Sequence, residues 1–241
     1  MRGLVAEAGV LRSLHRPGDP LVLPNVWDAA SARAVAAAGF PVIATSSAAV
    51  ADALGYADGE ATPPGEMFDA VARIAAAVRL PVTADVERGY RLSPPELVER
   101  LLAAGAVGCN LEDSIDGRQV PLDEQAAFLG AVRAAATRCG VPLVINARID
   151  TFLIRGAHDP DDVAARAARY GDAGADCVYP ILAPVPAVAA LVAAVDTPVN
   201  ALCAVGQPRA DLVAAGAARI SYGAGLFRAI ERRHAELLTA L

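Results

Sequence analysis

Not one lysine occurs among the 21 basic residues of this 241-residue chain; all of them are arginine. That absence excludes a lysine Schiff base and a lysine general base, two common means of cleaving a carbon–carbon bond beside a carbonyl. Cysteine is scarce as well. Cys109, Cys139, Cys177 and Cys203 are widely spaced, with no CxxC pair and no histidine-rich neighbourhood, so neither a disulfide framework nor a zinc site is expected. Cys109 and Cys177 fall within apolar runs and read as core residues. The three histidines, His15, His158 and His234, lie at loop or terminal-helix positions and give little support for a catalytic imidazole. With a net charge of −6 and no basic run, nucleic acid is not an expected partner.

Long hydrophobic runs are missing too. Residues are 55% hydrophobic and the mean hydropathy is +0.39, yet "GFP" and "TSS" interrupt one uncharged stretch, and Pro180, Pro184 and Pro186 another. Neither reads as a membrane span. The first residues carry Glu7 and no small-residue cleavage site, so a cytoplasmic address is expected. No GxGxxG follows the first apolar run, which disfavours a dinucleotide-binding open sheet.

What is present is a rhythm. Short apolar runs alternate with Ala/Leu/Val/Arg segments of helical period, opened by Pro, Ser or Asp and closed by Gly. The strands expected are "LVLPN", "PVIATS", "PVTADVE", "GCNLED", "LVINARID", "DCVYP", "PVNAL" and "RISYG". Eight helical stretches alternate with them, from "WDAASARAVAAAG" to "LFRAIERRHAELLTAL". Eight of each predict one α/β domain over residues 1–241, a parallel eight-stranded (β/α)₈ barrel. No linker or low-complexity tract divides it. The segment from Thr45 to Pro64 is long for a βα loop, and long loops are often functional.

Barrel enzymes place their chemistry at the C-terminal ends of strands, so the residues there are the candidates. They are polar and acidic: Asn25, Trp27 and Asp28; Thr45, Ser46 and Ser47; Asp85 and Glu87; Asn110, Glu112 and Asp113; Asn146, Arg148 and Asp150; Tyr179; Asn200. Asp85 and Glu87 are two apart, which in an extended strand puts both on one side. Two like charges there need a cation or a proton between them. With Glu112 on the next strand they form an oxygen-only set that suits Mg²⁺. The alternative is a rim ion network in which Glu87 pairs with Arg88 or Arg148. Arg148 could clamp a substrate carboxylate bidentately, or it could be a buried partner of Asp150 or Glu112. Asp58, in "GYADGE", reads by itself as part of a solvated turn. "SYGAG" is either a phosphate cradle or a tight turn, the turn being the simpler reading.

Six pieces in order, "NVWDAASARAVAAAGF", "ATSSAAVADALGYAD", "TADVERGY", "NLEDS", "NARID" and "RISYGAGLFRA", resemble the isocitrate lyase / phosphoenolpyruvate mutase superfamily over nearly the whole chain. The resemblance implies an Mg²⁺-dependent barrel, with Mn²⁺ as a substitute, that is often oligomeric with swapped C-terminal helices. Its substrates would be small 2-oxo or 2-hydroxy acids. It places Asp85, Glu87 and Glu112 at the metal, directly or through its waters, with Glu87 standing where many members have Asp. Ser46, Ser47 and Ala48 match the segment that binds a carboxylate or oxyanion, Arg148 the substrate arginine and Asp58 an acid near the reacting centre. Trp27 and Asn200 join them on the substrate side.

The departures narrow the expectation. "NLEDSIDGRQVPL" carries no Lys, Cys or His where the lyases keep a "KKCGH" gating loop, and it lacks the longer mutase lid; Ile181 follows "YP" where lyases commonly have Glu. The expected function is an Mg²⁺-dependent carbon–carbon lyase or decarboxylase that works through an enolate-like intermediate. The alternatives are a phosphonate carbon–phosphorus mutase or hydrolase and a non-catalytic metabolite-binding barrel. A homo-oligomer, dimer or tetramer, is expected from apolar helix faces and the final helix.

Overall fold

The computed structural model describes residues 2–154 and 159–241; His158 lies outside the described residues. Eight strand positions form a continuous ring. The first is β1 (Leu21–Leu23, continuing as Asn25–Val26), interrupted at Pro24, which has no N–H to give to a neighbour. Then come β2 (Ile43–Thr45), β3 (Val82–Asp85), β4 (Gly108–Leu111) and β5 (Val144–Ile149), followed by β6 (Cys177–Pro180), β7 (Asn200–Leu202) and β8 (Arg219–Ser221). Parallel pairings run from the second half of β1 through β2, β3, β4 and β5 to β6. A parallel bridge between Val178 and Val199 links β6 to β7, and β8 pairs with both β7 and the first half of β1. The expected eight-stranded parallel barrel is thus present, its strand ends gathered on one face.

Helices α2 (Ala29–Ala37), α4 (Pro64–Ala76), α5 (Pro94–Ala103), α6 (Leu122–Arg138), α7 (Pro160–Asp172), α8 (Val185–Ala194), α9 (Ala210–Ala214) and α10 (Gly225–Thr239) answer the eight expected helical stretches. Two more were not anticipated. One is α1 (Arg2–Ser13), whose Leu4, Ala8 and Leu11 follow helical spacing and close the N-terminal end of the barrel against Leu21, Leu23, Val107 and Val144. Gly108 permits this approach: a Cβ there would sit 2.6 Å from Leu11 Cδ2. The other is α3 (Ser47–Leu54), which occupies the first half of the segment expected to be a loop. Ser46 caps it, and Gly55, at φ 88°, ends it in the left-handed region.

At the same closed end Asp176 ties three elements together. It accepts from Arg12 Nε at 2.8 Å, from Arg133 Nη2 at 2.5 Å and from the Ile145 backbone at 2.9 Å. His15 lies close by. Its Nδ1 donates to the Leu11 carbonyl at 2.9 Å, while Nε2 is buried without a partner. Burial, and then repulsion from Arg219, lowers its pKa to about 4. Among the described residues no helix is long and apolar enough to cross a membrane.

His15 makes a stability prediction with a definite sign. Between its unfolded pKa of 6.5 and about 4 in the fold, the unfolded chain binds a proton that the folded chain does not. Stability therefore falls as pH drops through that window, by about 3 kcal/mol in total. Chemical denaturation of wild type and His15→Gln at pH 7.5 and pH 4 checks it: the variant gains on the wild type by roughly that amount at the lower pH.

Candidate active site

Asp85 ends β3, and its position is fixed twice. Its backbone N–H donates to Thr45 Oγ1 at 2.8 Å. Its Oδ2 accepts from the backbone N of Ser47 at 3.0 Å and from Ser47 Oγ at 2.9 Å. The N-terminal end of α3 and a serine hydroxyl together hold one carboxylate oxygen. The other, Oδ1, is buried with no partner. Because Ser47 spends both donors on Asp85 and the Ala49 N–H reaches Ser46 Oγ at 3.4 Å, Ala48 carries the N–H left over in the segment expected to bind an oxyanion.

Glu87 does not continue the strand. Its φ of 51° turns the chain, so the two-residue alternation that would place it beside Asp85 does not apply. Instead it is buried and held from both sides. Tyr90 Oη donates to its Oε1 at 2.8 Å, and the Glu60 backbone N–H donates to its Oε2. Glu60 in turn accepts from the Tyr90 N–H at 2.6 Å, latching the 58–60 loop to the chain after β3. Burial chiefly, with help from Asp58 and Asp85, pushes the Glu87 pKa up to about 7 against the pull of Tyr90 and the Glu60 N–H. A proton is one remedy for crowded like charge, and the shift at Glu87 is in that direction. Tyr90 and Glu60, which do this work, were not among the expected site residues; a strained turn is not legible in residue types alone.

Arg148 is committed to carboxylates on both sides. Its Nε and Nη2 reach Asp150 at 2.5 and 3.0 Å, and its Nη1 pairs with Glu112. Burial works against the guanidinium charge, but Glu112 and Asp150 outweigh it and raise the pKa. Burial raises that of Glu112, where Arg148 opposes the neighbouring charges of Asp150, Asp85 and Glu87. The buried-partner reading of Arg148 is therefore what the fold contains, and any substrate carboxylate has to share the guanidinium or compete for it. Asp58 is exposed at the mouth of the site; partial desolvation of its carboxyl, then the Asp85 charge, raises its pKa, while Arg148 lowers it.

These groups line two adjoining cavities of about 520 Å³ each. One contains Glu60, Glu87, Tyr90 and Glu112; the other contains Ser46, Ser47, Ala48, Asp85, Asn110 and Tyr179; Asp58 and Arg148 border both. Asn200 borders neither. It is fully buried, and its Oδ1 accepts from Ser221 Oγ at 2.8 Å, so it braces a cavity wall. Trp27 packs edge-on against Phe227 of α10, with ring centroids 5.2 Å apart. The "SYGAG" turn is no open cradle, because its Tyr222 and Gly223 N–H groups both donate to Asn25 Oδ1, at 2.9 and 2.8 Å. His15 is half-buried at the far end and His234 is exposed on α10; neither borders either of these two cavities. The Cys109 and Cys177 thiols are buried and pushed up to about 12 by that burial.

The segment where a gating loop was expected to be reduced is a tight hairpin. Ser114–Ile115 pairs antiparallel with Arg118–Gln119. The connecting Asp116 and Gly117 both have positive φ, 49° and 72°, as a two-residue turn of this hand requires. Beneath it lies Asp113, fully buried, accepting from the Asp150 N–H at 2.8 Å, Gln119 Nε2 at 3.1 Å, Tyr170 Oη at 2.8 Å and Arg166 Nη1 at 3.2 Å.

Among the described residues, no three His, Cys, Asp or Glu side chains are arranged to share one ion. The residues still fit Mg²⁺ in its usual manner, held by one or two carboxylates with waters and substrate oxygens completing the shell. Asp85 supplies a buried oxygen without a partner, and every other nearby donor is an oxygen. Asp85 would be the direct ligand, with Glu87 and Glu112 acting through waters.

Comparison with known proteins identifies the lineage. The phosphoenolpyruvate phosphomutase family model matches residues 11–241. The chain belongs to that family. Its fold superposes with a TM-score of 0.91 on a candidate phosphonomutase from Burkholderia cenocepacia J2315, at 43% identity over 97% of this chain and 99% of the other. The uncharacterized protein Rv1998c of Mycobacterium tuberculosis is 36% identical over 90% of this chain and 84% of its own length. An oxaloacetate decarboxylase of Rhodopseudomonas palustris (strain BisB5) is 33% identical over 71% of this chain and 61% of its own. Family members thus include enzymes named as mutases and as decarboxylases, within the wider superfamily that also contains isocitrate lyase.

The hairpin and its anchor give a prediction. Asp113→Ala leaves Arg166, Tyr170 and Gln119 without their shared acceptor and lowers stability by about 3 kcal/mol. Urea denaturation measures the loss, and amide exchange rises most over residues 114–119.

Proposed function

We propose that this phosphoenolpyruvate phosphomutase family member is an Mg²⁺-dependent carbon–carbon lyase or decarboxylase. Its substrate would be a small 2-oxo or 2-hydroxy carboxylic acid, cleaved through an enolate-like intermediate. The observation that carries the reading is Asp85. One carboxylate oxygen is fixed by Ser47 and the other is buried without a partner, at the wall of a cavity that also holds Arg148 and Asp58. The metal would polarise a substrate oxygen and stabilise charge developing on it.

The chain's own residues supply the rest. Arg148, oriented by Asp150, offers charge to a substrate carboxylate, and Glu112, raised toward its neutral form by burial, is the partner most readily displaced. The free N–H of Ala48, at the start of α3, suits a second oxygen. Asp58, exposed and raised in pKa, is placed to hold and deliver a proton. The hairpin over the site carries no Lys, Cys or His. Protonation of the enolate is then the natural outcome, which a lyase needs and a mutase has to prevent.

A panel of 2-oxo and 2-hydroxy diacids assayed with Mg²⁺ for release of pyruvate or glyoxylate tests the proposal. Turnover of one member is expected, and Asp85→Ala lowers it by on the order of a hundredfold or more. Full activity in that variant rejects the mechanism. The 43% identical candidate phosphonomutase supports a second reading, phosphonate carbon–phosphorus chemistry; ³¹P NMR of phosphonopyruvate with enzyme and Mg²⁺ separates the two.

We also propose a homo-oligomer built on α10, whose Ile230, Leu237 and Leu238 are more than half exposed on the chain's own surface. Light scattering after size exclusion is expected to give a dimer or tetramer, and a monomer rejects it.

A further inference from the structure

The barrel interior contains a second arginine unlike Arg148. Arg219, on β8, is 1% exposed, and among the described residues no carboxylate pairs with it. Its Nη2 crosses the barrel to donate to Asn110 Oδ1 on β4 at 3.1 Å, while Nε and Nη1 are buried without partners. A guanidinium buried without a counter-ion is costly. One neutral side-chain oxygen is what this one receives.

The consequence falls on Asn110. Its Oδ1 accepts a second bond, from Asn146 Nδ2 at 2.8 Å. A carboxamide ordinarily turns over at little cost, exchanging its oxygen and NH₂. Here the reversal would set an NH₂ against a guanidinium, which can only donate. The amide is therefore locked with its oxygen inward and its NH₂ on the other side. Asn110 borders the cavity that contains Asp58, Asp85 and Arg148. No protein acceptor for its Nδ2 is found among the described residues. In a site this rich in carboxylates, a neutral donor with no competing partner adds to what the Ala48 N–H offers an incoming anion, whereas Arg148 has first to loosen its hold on Glu112 or Asp150.

We propose that Asn110 is a further substrate-binding residue, donating an amide N–H to an anionic oxygen of the carboxylate substrate, and that Arg219 is a positioning residue that locks the amide in the donating orientation. The proposal rests on the carboxylate-binding reading of the cavity, so its test has two arms.

The first arm needs no ligand. Asn110→Asp keeps an oxygen toward Arg219 and gives that cation its missing counter-charge, whereas Asn110→Ala removes the acceptor. Thermal melting is expected to place Asn110→Asp level with or above wild type, and Asn110→Ala below it. Asn110→Asp melting below Asn110→Ala overturns the locked orientation.

The second arm is calorimetry with oxalate and Mg²⁺. Asn110→Ala is expected to weaken binding about tenfold, the loss of one hydrogen bond to a charged acceptor. Arg219→Met weakens it several-fold, and the double variant binds no more weakly than Asn110→Ala alone, a non-additivity that general loosening of the fold does not produce. Should Arg219→Met fail to fold, the two Asn110 variants decide. Wild-type affinity in Asn110→Ala, or fully additive losses, overturns the proposal. A wild-type protein that binds no oxalate overturns the carboxylate-binding reading and the substrate contact with it, while the melting arm still judges the Arg219 lock.

Discussion

The carboxyl groups of Asp58, Asp85, Glu87, Glu112 and Asp150 gather at the open end of the barrel with Arg148 paired among them, while Arg228 and Arg232 border the same cavity, and this crowding of acids governs the site. Asp150 is satisfied by a bidentate contact. Glu112 pairs with Arg148, yet burial drives its pKa upward. Glu87 is raised to about 7 and Asp58 is also raised. Asp85 is different. One of its oxygens is anchored by Ser47 at the start of a helix, and the other has no partner. A site in which several acids are raised in pKa and one buried carboxylate oxygen has no partner would suit a single hard cation, and that cation would in turn pull its neighbours back toward ionisation.

The scaffold maintains this crowding through a strained turn that its neighbours hold in place. Glu87 needs φ 51°, and Glu60, Tyr90 and Arg91 nearby also have positive φ. Such backbone persists only where surrounding contacts over-determine it. The Glu60–Glu87–Tyr90 latch and the Phe68–Tyr90 ring contact at 6.5 Å provide them. At the opposite end α1 seals the barrel with Leu11, and Asp176 joins α1, α6 and β5. The closed end carries stability and the open end carries chemistry, as is usual for this architecture.

The architecture was legible in the sequence because helical and strand periods alternate cleanly, and strand ends are punctuated by Asn, Asp and Glu. Family motifs then singled out Asp85, Ser47, Asp58 and Arg148, which the fold does bring together. What was not legible depends on φ or on contacts distant along the chain. Strand alternation predicted Glu87 beside Asp85, but a residue in the left-handed region has left the strand. The run after Thr45 looked like a loop because Ala-rich "SAAVADAL" is short and followed at once by Gly55; capping by Ser46 makes it a helix. Arg148 read first as a substrate clamp and second as a buried partner, since nothing local reveals that Asp150 and Glu112 reach it from two sides.

The hairpin at residues 114–119 bears most directly on chemistry. It is closed by its own ladder and an Asp-Gly turn, and Asp113 fastens it from below to β5 and α7. A cover held by backbone pairing has no need of a long charged loop, and this one carries no side chain able to act as a cysteine or histidine acid. Among the described residues, the groups bordering these cavities that could deliver a proton include the carboxyls of Asp58, Glu87 and Glu112 and the hydroxyls of Tyr90, Tyr179 and Tyr222. The same acids that repel one another when ionised are those whose raised pKa lets them hold such a proton. The crowding that would suit a cation at Asp85 thus also leaves acids able to hold a proton beneath a cover that carries no Cys or His.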